Sequence, residues 1–225
     1  MSVPPSGRQY EIRYGDQVAV VVGVGGGVRE YRVADRAVLD PYPLNAMCDG
    51  AHGTVSVPWP NRLGDGRYRF DGVDYQVALI EPEKSNAIHG LSAGATGSRS
   101  ARAAIRSQTG CPFVLDVTVD YLLDDQGLTV TTTATNLGEQ ACPYGCGHHL
   151  DLSPGSGLID HAGLNFTAGT RIVTDADPSA AHWHRTRGGS ITGHSPGRPA
   201  HRTHSGQGPR PGSVRLASRP VRDRP

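Results

Sequence analysis

Two neighbouring runs of alternating residues constrain the fold of this chain most strongly. Residues 113–121 alternate apolar with polar side chains from Leu115 onward, and residues 128–135 are rich in threonine. Between them lies Asp124-Asp125-Gln126-Gly127, which is composed of turn-forming residues. Alternation with a period of two, together with β-branched residues, is typical of strands that bury one face. The two runs therefore predict a pair of adjacent strands, and no stretch of helical period competes with them.

Similar signals recur earlier in the chain. Gly15-Asp16 separates two β-rich runs within residues 10–24, and Asp71-Gly72 forms the turn of the clearest hairpin, at residues 68–77. Gly25-Gly26-Gly27 could form a phosphate-binding loop, but an alternating run follows it rather than a helix, so we interpret it as a turn. Short strands at regular spacing predict an all-β sandwich.

Charge divides the chain into a body and a tail. Residues 1–177 hold 13 Lys and Arg against 20 Asp and Glu, whereas residues 178–225 hold nine Arg and one Asp. The tail also contains seven of the 17 prolines and five of the ten histidines. We predict a β domain over residues 8–177 and an irregular or disordered tail over 178–225. Residues 92–108 have few large apolar side chains and are predicted to be irregular as well.

The chain carries no signal for export or membrane insertion. No positively charged start precedes an apolar run, and no window approaches the roughly 18 apolar residues of a membrane span. We therefore expect a cytoplasmic protein without a membrane partner. In that compartment its four cysteines are expected to be reduced thiols. They are Cys48, Cys111, Cys142 and Cys146.

Two turn regions present polar side chains suited to a ligand. Asn61 and Arg62 lie in a turn bounded by prolines, where a planar guanidinium could hold hydroxyl groups. His89 precedes a glycine in Asn-Ala-Ile-His-Gly, which would expose the imidazole at a loop mouth. Each residue also has a simpler interpretation. Arg62 could pair with a nearby carboxylate, and His89 could be an ordinary surface residue.

A third cluster contains potential metal ligands, namely Cys142, Cys146, His148 and His149. Thiolates and imidazoles are the usual ligands of zinc. However, adjacent histidines on an extended segment point to opposite faces, and a second pair of cysteines with ligand spacing is missing. We therefore predict no metal site and no cofactor.

Four motifs stand out along the chain: Pro-Trp-Pro-Asn-Arg with Gly-Asp-Gly-Arg-Tyr at 58–68, Asn-Ala-Ile-His-Gly-Leu at 86–91, Tyr-Gly-Cys-Gly-His-His with Leu-Ser-Pro-Gly at 144–155, and Leu-Ile-Asp at 158–160. Taken together, they resemble the aldose 1-epimerase (galactose mutarotase) family. The resemblance covers about residues 8–91 and 109–177, and the order and intervals of the motifs agree with that family. It implies a β-supersandwich that is incomplete at the C-terminus, and a function in interconverting the α and β anomers of a free aldose.

The resemblance also implies roles for individual residues. His149 would be the general acid that protonates the ring oxygen, while Asn61, Arg62 and His89 would bind sugar oxygens. A carboxylate base would take the proton of the anomeric hydroxyl. No cofactor is implied, and the partner is a small aldose.

Two departures from the family pattern concern the chemistry. Leu150-Asp151 replaces the usual Pro-Tyr after the acid histidine, so Asp151 could pair with a neighbouring histidine. The family's base is a late Glu, and residues 178–225 contain none. The chain thus supplies the acid without the base, and its activity does not follow from the resemblance. We hypothesise that 92–108 and 178–225 are read out of frame, or that the chain is a truncated homologue. Translating the gene with the reading frame shifted by one base after about codon 177 tests the first idea. A frame without a strand-patterned continuation and a late Glu would rule it out.

Two other functions stay open from the sequence. The chain could be a carbohydrate-binding module without catalysis that uses Arg62, His89 and His149. The nine arginines of the tail could instead contact the phosphates of a nucleic acid. We consider nucleic-acid binding the weakest interpretation, because the tail lacks interleaved aromatic residues beyond Trp183 and has no helical pattern.

Overall fold

The computed structural model describes residues 3–90 and 100–155, and beyond them the backbone of four strands. These are Leu164–Thr174, Ala181–Gly193, Val214–Ser218 and Arg222–Asp223. The described secondary structure is β-strand apart from one 3-10 turn, Pro82–Lys84. The prediction of an all-β fold is therefore confirmed. No helix in this described part has the length and apolarity needed to cross a bilayer.

The first sheet is an antiparallel meander of four strands. Its two-residue turn at Gly15-Asp16 was predicted, as was the glycine turn before the third strand, where Gly25 and Gly26 have positive φ. The strands follow the chain order, and each pairs with the next. They are β1 (Gln9–Tyr14), β2 (Gln17–Val22), β3 (Val28–Val33) and β4 (Arg36–Leu39).

The second sheet is built around the hairpin that the alternating runs predict. Its members β11 (Leu115–Asp124) and β12 (Gly127–Asn136) pair in antiparallel register over their whole length. On the far side of β11 lies β10 (Ser100–Ile105). Two strands pair parallel with β12, namely β16 (Val214–Ser218) and β17 (Arg222–Asp223).

The two sheets pack face to face around one apolar core. Inward residues of the first sheet, among them Tyr31 and Val21, contact inward residues of the second, among them Leu128 and Val130. Polar groups in this core are paired. The Tyr31 hydroxyl donates to Gln17 Oε1 at 2.7 Å, and Gln17 Nε2 donates to the Asp124 carbonyl at 2.7 Å. Because the buried polar groups have hydrogen-bond partners, this link between the sheets costs little free energy for the burial of polar atoms.

Six short strands form ribbons between the longer elements. The hairpin of β7 and β8 turns at Asp71-Gly72, where both residues have positive φ, as its sequence predicts. The other two ribbons pair segments that are distant in sequence, β5 with β13 and β6 with β9. The bounds are β5 (Val55–Ser56), β6 (Arg62–Gly64), β7 (Arg67–Phe70), β8 (Val73–Gln76), β9 (Asn86–Ile88) and β13 (Gly147–His148).

The chain divides into two compact units. The first comprises residues 1–153 and 209–225, and the second comprises residues 154–208. The second unit contains an antiparallel hairpin of β14 (Leu164–Thr174) and β15 (Ala181–Gly193), with a shift of register between Ala168 and Thr170. The domain limits at residues 8 and 177 stay a prediction.

The prediction that residues 92–108 are irregular is wrong for Ser100–Ile105, which form β10. Backbone groups make the ladder to β11, so small side chains do not prevent pairing. Ile105 is buried, and Arg102 forms a bidentate ion pair with Asp116 on β11, at 2.7 and 3.0 Å. Residues 92–99 lie outside the described residues.

The prediction of an irregular tail is likewise wrong for three of its segments. Residues of the tail form β15, β16 and β17, in spite of the Arg-, Gly- and His-rich composition. A hairpin partner in β14 and the second edge of β12 offer backbone hydrogen bonds that do not depend on apolar side chains. The other residues of 178–225 lie outside the described part of the chain.

Candidate functional site

The four predicted site residues line one cavity of about 560 Å³ in the first unit. This volume falls within the usual range for small-molecule sites. Asn61, Arg62, His89 and His149 all face it. The other lining residues are Gly50, Ala51, Ser56, Pro60, Glu81, Ile88, Gly147 and His148.

Two ribbons bring these side chains together. In the pairing of β6 with β9, Arg62 lies opposite Ile88, which places His89 beside Asn61. In the pairing of β5 with β13, Ser56 lies opposite Gly147 and Val55 opposite His148. The Asn61 region and His149 are separated by almost 90 residues, so only this long-range pairing puts them in one site.

His89 is held in a defined orientation and tautomer. The backbone N–H of Asn61 donates to His89 Nδ1 at 3.3 Å, and the Ser56 hydroxyl lies 3.1 Å from the same nitrogen. A backbone N–H can only donate, so Nδ1 is the acceptor and the ring proton is on Nε2. Burial, His149 and Arg62 together lower the pKa of His89 from its ordinary value of 6.5. The ring is therefore a neutral hydrogen-bond donor through Nε2.

The backbone around His89 adopts an unusual conformation. His89 and Gly90 have φ of 58° and 73°, and a Cβ on Gly90 would overlap the carbonyl of Val57. Only glycine avoids both the overlap and the steric cost of positive φ at position 90. Gly90 therefore lets the His89 loop approach the strand segment that ends at Val57.

Gly90→Ala is expected to destabilise the protein by about 3 kcal/mol or more, because overlap with Val57 adds to the roughly 1–2 kcal/mol of left-handed strain. Gly72→Ala is the matched control. Gly72 has a φ of 78°, but its Cβ would meet no atom within 4 Å, so only the strain applies. Urea denaturation of both variants measures the difference. Equal losses would show that the approach to Val57 is not tight.

Arg62 pairs with a carboxylate that also lines the cavity. Its Nε and Nη2 donate to Glu81 Oε2 and Oε1 at 2.6 and 2.9 Å. This pairing raises the pKa of Arg62 and lowers that of Glu81, and Lys84 at 3.6 Å from Glu81 adds to the second effect. The carboxylate interpretation of Arg62 is therefore correct, and the residue lines the cavity as well. Within the described residues no acceptor contacts Nη1, so this nitrogen is available for a ligand oxygen.

Glu81→Gln is expected to lower stability at neutral pH by about 1 kcal/mol, because the charge-assisted bidentate pair is lost. The pKa of Glu81 is lowered in the folded protein, so its contribution is complete above the ordinary value of 4.5. It disappears as the pH falls through the lowered folded value. Wild type and variant should therefore converge in urea denaturation at acid pH. Glu83→Gln, on the same 3-10 turn, is the control. A difference that stayed constant with pH would contradict this linkage.

The two adjacent histidines have different partners. His148 Nε2 lies 3.1 Å from the buried Thr132 hydroxyl on β12, and burial lowers the pKa of His148. The ring of His149 lies edge-on to that of His89, with centroids 5.5 Å apart. Its Nδ1 is 3.5 Å from Asp151 Oδ2. His148 thus supports the ribbon, while His149 approaches the second imidazole of the cavity.

The candidate metal ligands do not form a cluster. All four cysteines are free thiols, as predicted. Cys142 and Cys146 pack against an apolar cluster that includes Val57 and Leu115. Among the described residues, no three His, Cys, Asp or Glu side chains come close enough to hold a metal ion.

Comparison with known proteins decides the family. The family model described as "Aldose 1-epimerase" matches residues 8–197. The chain belongs to the aldose 1-epimerase family. The match extends past position 177, the limit that the sequence predicted for the β domain. A curated relative from this comparison is the uncharacterised protein YihR of Escherichia coli K12, which is 31% identical over 188 residues. The alignment covers 79% of this chain and 61% of the relative.

Solved structures with the aldose 1-epimerase fold resemble the chain. A galactose mutarotase-like protein from Clostridium acetobutylicum superposes with a TM-score of 0.58 at 17% identity, over 75% of this chain and 58% of that one. A GalM/aldose epimerase homologue from C. elegans gives a TM-score of 0.57 at 15% identity, over 76% and 58%. The predicted galactose mutarotase-like β-sandwich is therefore confirmed. The chain spans about three-fifths of the length of these relatives.

Sequence reasoning missed two members of the site. Glu81 holds Arg62, and Ser56 contacts the ring of His89. Glu81 lies shortly before the Asn-Ala-Ile-His-Gly motif, where a carboxylate near a predicted ligand-binding cation could have been considered. No local signal marks Ser56, because its partner is 33 residues away.

Proposed function

We propose that this cavity binds a free aldose and that the chain interconverts its α and β anomers by ring opening. One observation carries the proposal: two imidazoles with different hydrogen-bond partners lie 5.5 Å apart in one cavity, beside an arginine held by a carboxylate. Such a site offers both proton transfer and fixed donors to sugar oxygens. Membership of the aldose 1-epimerase family supports the same reaction.

Each predicted residue has a defined role in this proposal. Protonated His149 gives its proton to the ring oxygen as the bond from that oxygen to the anomeric carbon breaks. A base removes the proton of the anomeric hydroxyl, which becomes the aldehyde oxygen. Rotation about the adjacent carbon–carbon bond followed by the reverse steps yields the other anomer. His89 and Arg62 donate to sugar oxygens through Nε2 and Nη1, and Asn61 binds beside them.

Catalysis needs a base, so the presence or absence of one separates two candidate functions, an isomerase and a carbohydrate-binding protein without catalysis. Among the described residues that line the cavity, the one carboxylate is Glu81, and Arg62 binds both of its oxygens. Glu81 therefore positions Arg62, and the lowered pKa of this carboxyl makes it a weak base. Loss of one proton-transfer group lowers a rate by about 10²–10⁴. The pairing of Glu81 with Arg62 favours the second candidate, a carbohydrate-binding protein that holds the sugar without interconverting it.

Polarimetry of freshly dissolved α-galactose and α-glucose tests the catalytic proposal. If the chain interconverts anomers, the optical rotation reaches equilibrium faster in proportion to protein concentration. No acceleration, together with saturable sugar binding, would leave the binding function alone. Absence of both would contradict the sugar site.

Binding of nucleic acid by the tail stays a weaker alternative, and a salt-dependent affinity for DNA or RNA would support it.

A further inference from the structure

We propose that Asp151 is a positioning residue that holds His149 in the Nδ1–H tautomer, so that Nε2 is the nitrogen presented for proton transfer. This inference rests on the role proposed for His149. Leu150-Asp151 stands where the family pattern has Pro-Tyr after the acid histidine, so that pattern does not supply this contact.

The contact joins a carboxylate to one particular ring nitrogen. Asp151 Oδ2 lies 3.5 Å from His149 Nδ1 and 3.9 Å from His52 Nε2. An ionised carboxylate only accepts hydrogen bonds, so it favours the form of His149 that carries its proton on Nδ1. In neutral His149 the lone pair is then on Nε2, and in the protonated ring Nε2 carries the transferable proton.

The backbone fixes Asp151 independently of this contact. The Asp40 N–H donates to the Asp151 carbonyl at 2.8 Å, and the Ser153 N–H donates to the Val38 carbonyl at 3.0 Å. The segment therefore runs along β4 and its continuation. Because these bonds do not involve the carboxylate, removal of the Asp151 side chain should leave the segment in place.

His149 is anchored in a similar way on its other side. Its N–H donates to the Thr54 carbonyl at 2.9 Å, and its carbonyl accepts from Gly53 at 2.7 Å. His52, next to these residues, has its Nε2 close to the Asp40 carbonyl and its ring edge-on to Tyr42. The carboxylate of Asp151 thus lies between His52 and His149, whose backbone segments are joined by hydrogen bonds.

The two cavity histidines would then be complementary. Neutral His89 donates through Nε2, because its Nδ1 accepts from Asn61. Neutral His149 would accept through Nε2, because its Nδ1 donates to Asp151. A hydroxyl or ring oxygen between them would meet one donor and one proton-exchanging group, which is the asymmetry that ring opening requires.

Nitrogen-15 NMR of the histidine rings tests this assignment without any need for activity. In the wild-type protein at a pH where His149 is neutral, Nδ1 is expected to carry the proton. Asp151→Ala should shift His149 towards the Nε2–H form, whereas Asp35→Asn, at an exposed turn, should leave it unchanged. An Nε2–H wild-type ring, or an identical ring pattern in Asp151→Ala, would overturn the proposal.

Kinetics separate this role from the proposed function. If the chain interconverts anomers, Asp151→Ala should lower kcat about tenfold. This factor corresponds to the lower end of the free energies of hydrogen bonds to charged groups, because both side chains of the pair are half-exposed. KM should be unchanged, and Asp151→Asn should recover part of the rate. An equal change in KM and kcat would contradict positioning. An inactive wild type with the Nδ1–H ring would disprove catalysis and leave the tautomer assignment standing.

Discussion

If the chain interconverts anomers, His149→Gln is expected to lower the rate of interconversion by about two orders of magnitude or more. Glutamine is polar and similar in size, but it cannot give a proton to the ring oxygen and take it back. Sugar binding should change little, because His89 and Arg62 supply the donors that we propose for the sugar oxygens. The effect should therefore fall on kcat rather than KM.

Progress curves of optical rotation at several sugar concentrations measure both constants. The same variant should retain the wild-type urea midpoint, since His149 is 41% exposed and its backbone makes the hydrogen bonds to Gly53 and Thr54. A variant that interconverts anomers at the wild-type rate would remove His149 from the reaction.

Leu128→Ala is expected to destabilise the protein by about 2–5 kcal/mol. Leu128 has no exposed surface, and it belongs to the core between the two sheets. Truncation leaves a cavity that neighbours such as Tyr31 and Val21 cannot fill without disturbing the first sheet. The expected loss of stability is large because Leu128 lies where the two sheets of the sandwich pack together.

Leu122→Ala provides the matched control for the core. Leu122 is on the paired strand β11 but is 56% exposed, so the same truncation should cost less than about 1 kcal/mol. Urea denaturation of both variants compares the losses directly. Similar losses at the two positions would contradict the packing of the sheets around Leu128.

Local signals predicted the hairpins, because a turn's sequence determines its backbone. Asp71-Gly72 tolerates the positive φ that a two-residue hairpin turn requires, and Gly15-Asp16 turns as predicted as well. Alternation gave the buried faces of β11 and β12 for a similar reason, since side chains on a strand point alternately to opposite faces. These elements needed no knowledge of distant residues.

Elements that depend on a distant partner could not be derived from local pattern. Ser100–Ile105 has one large apolar side chain, Ile105, and it forms a strand because β11 offers backbone hydrogen-bond partners. Tail residues pair with β12 and β14 for the same reason. Composition indicates whether a segment can bury apolar surface, but it does not indicate whether a neighbouring edge is free.

The site shows the same division between local and distant information. Spacing alone left Arg62 and His89 as possible surface residues, and only the family resemblance grouped them with His149. The ribbon of β5 and β13 and the ion pair with Glu81 explain how they meet. Glu81 itself was missed, because a bidentate partner is chosen by geometry across a ribbon rather than by a motif.

The most direct test of the sugar site is an NMR titration of the protein with galactose, followed through the ring resonances of His89 and His149. Both resonances should shift saturably and with one common affinity, because both rings face one cavity. Galactitol, an open-chain polyol with similar hydroxyl groups, should bind more weakly because it cannot form the ring. If neither histidine responds to galactose, or if the polyol produces the same shifts at the same concentrations, the proposed aldose site is wrong.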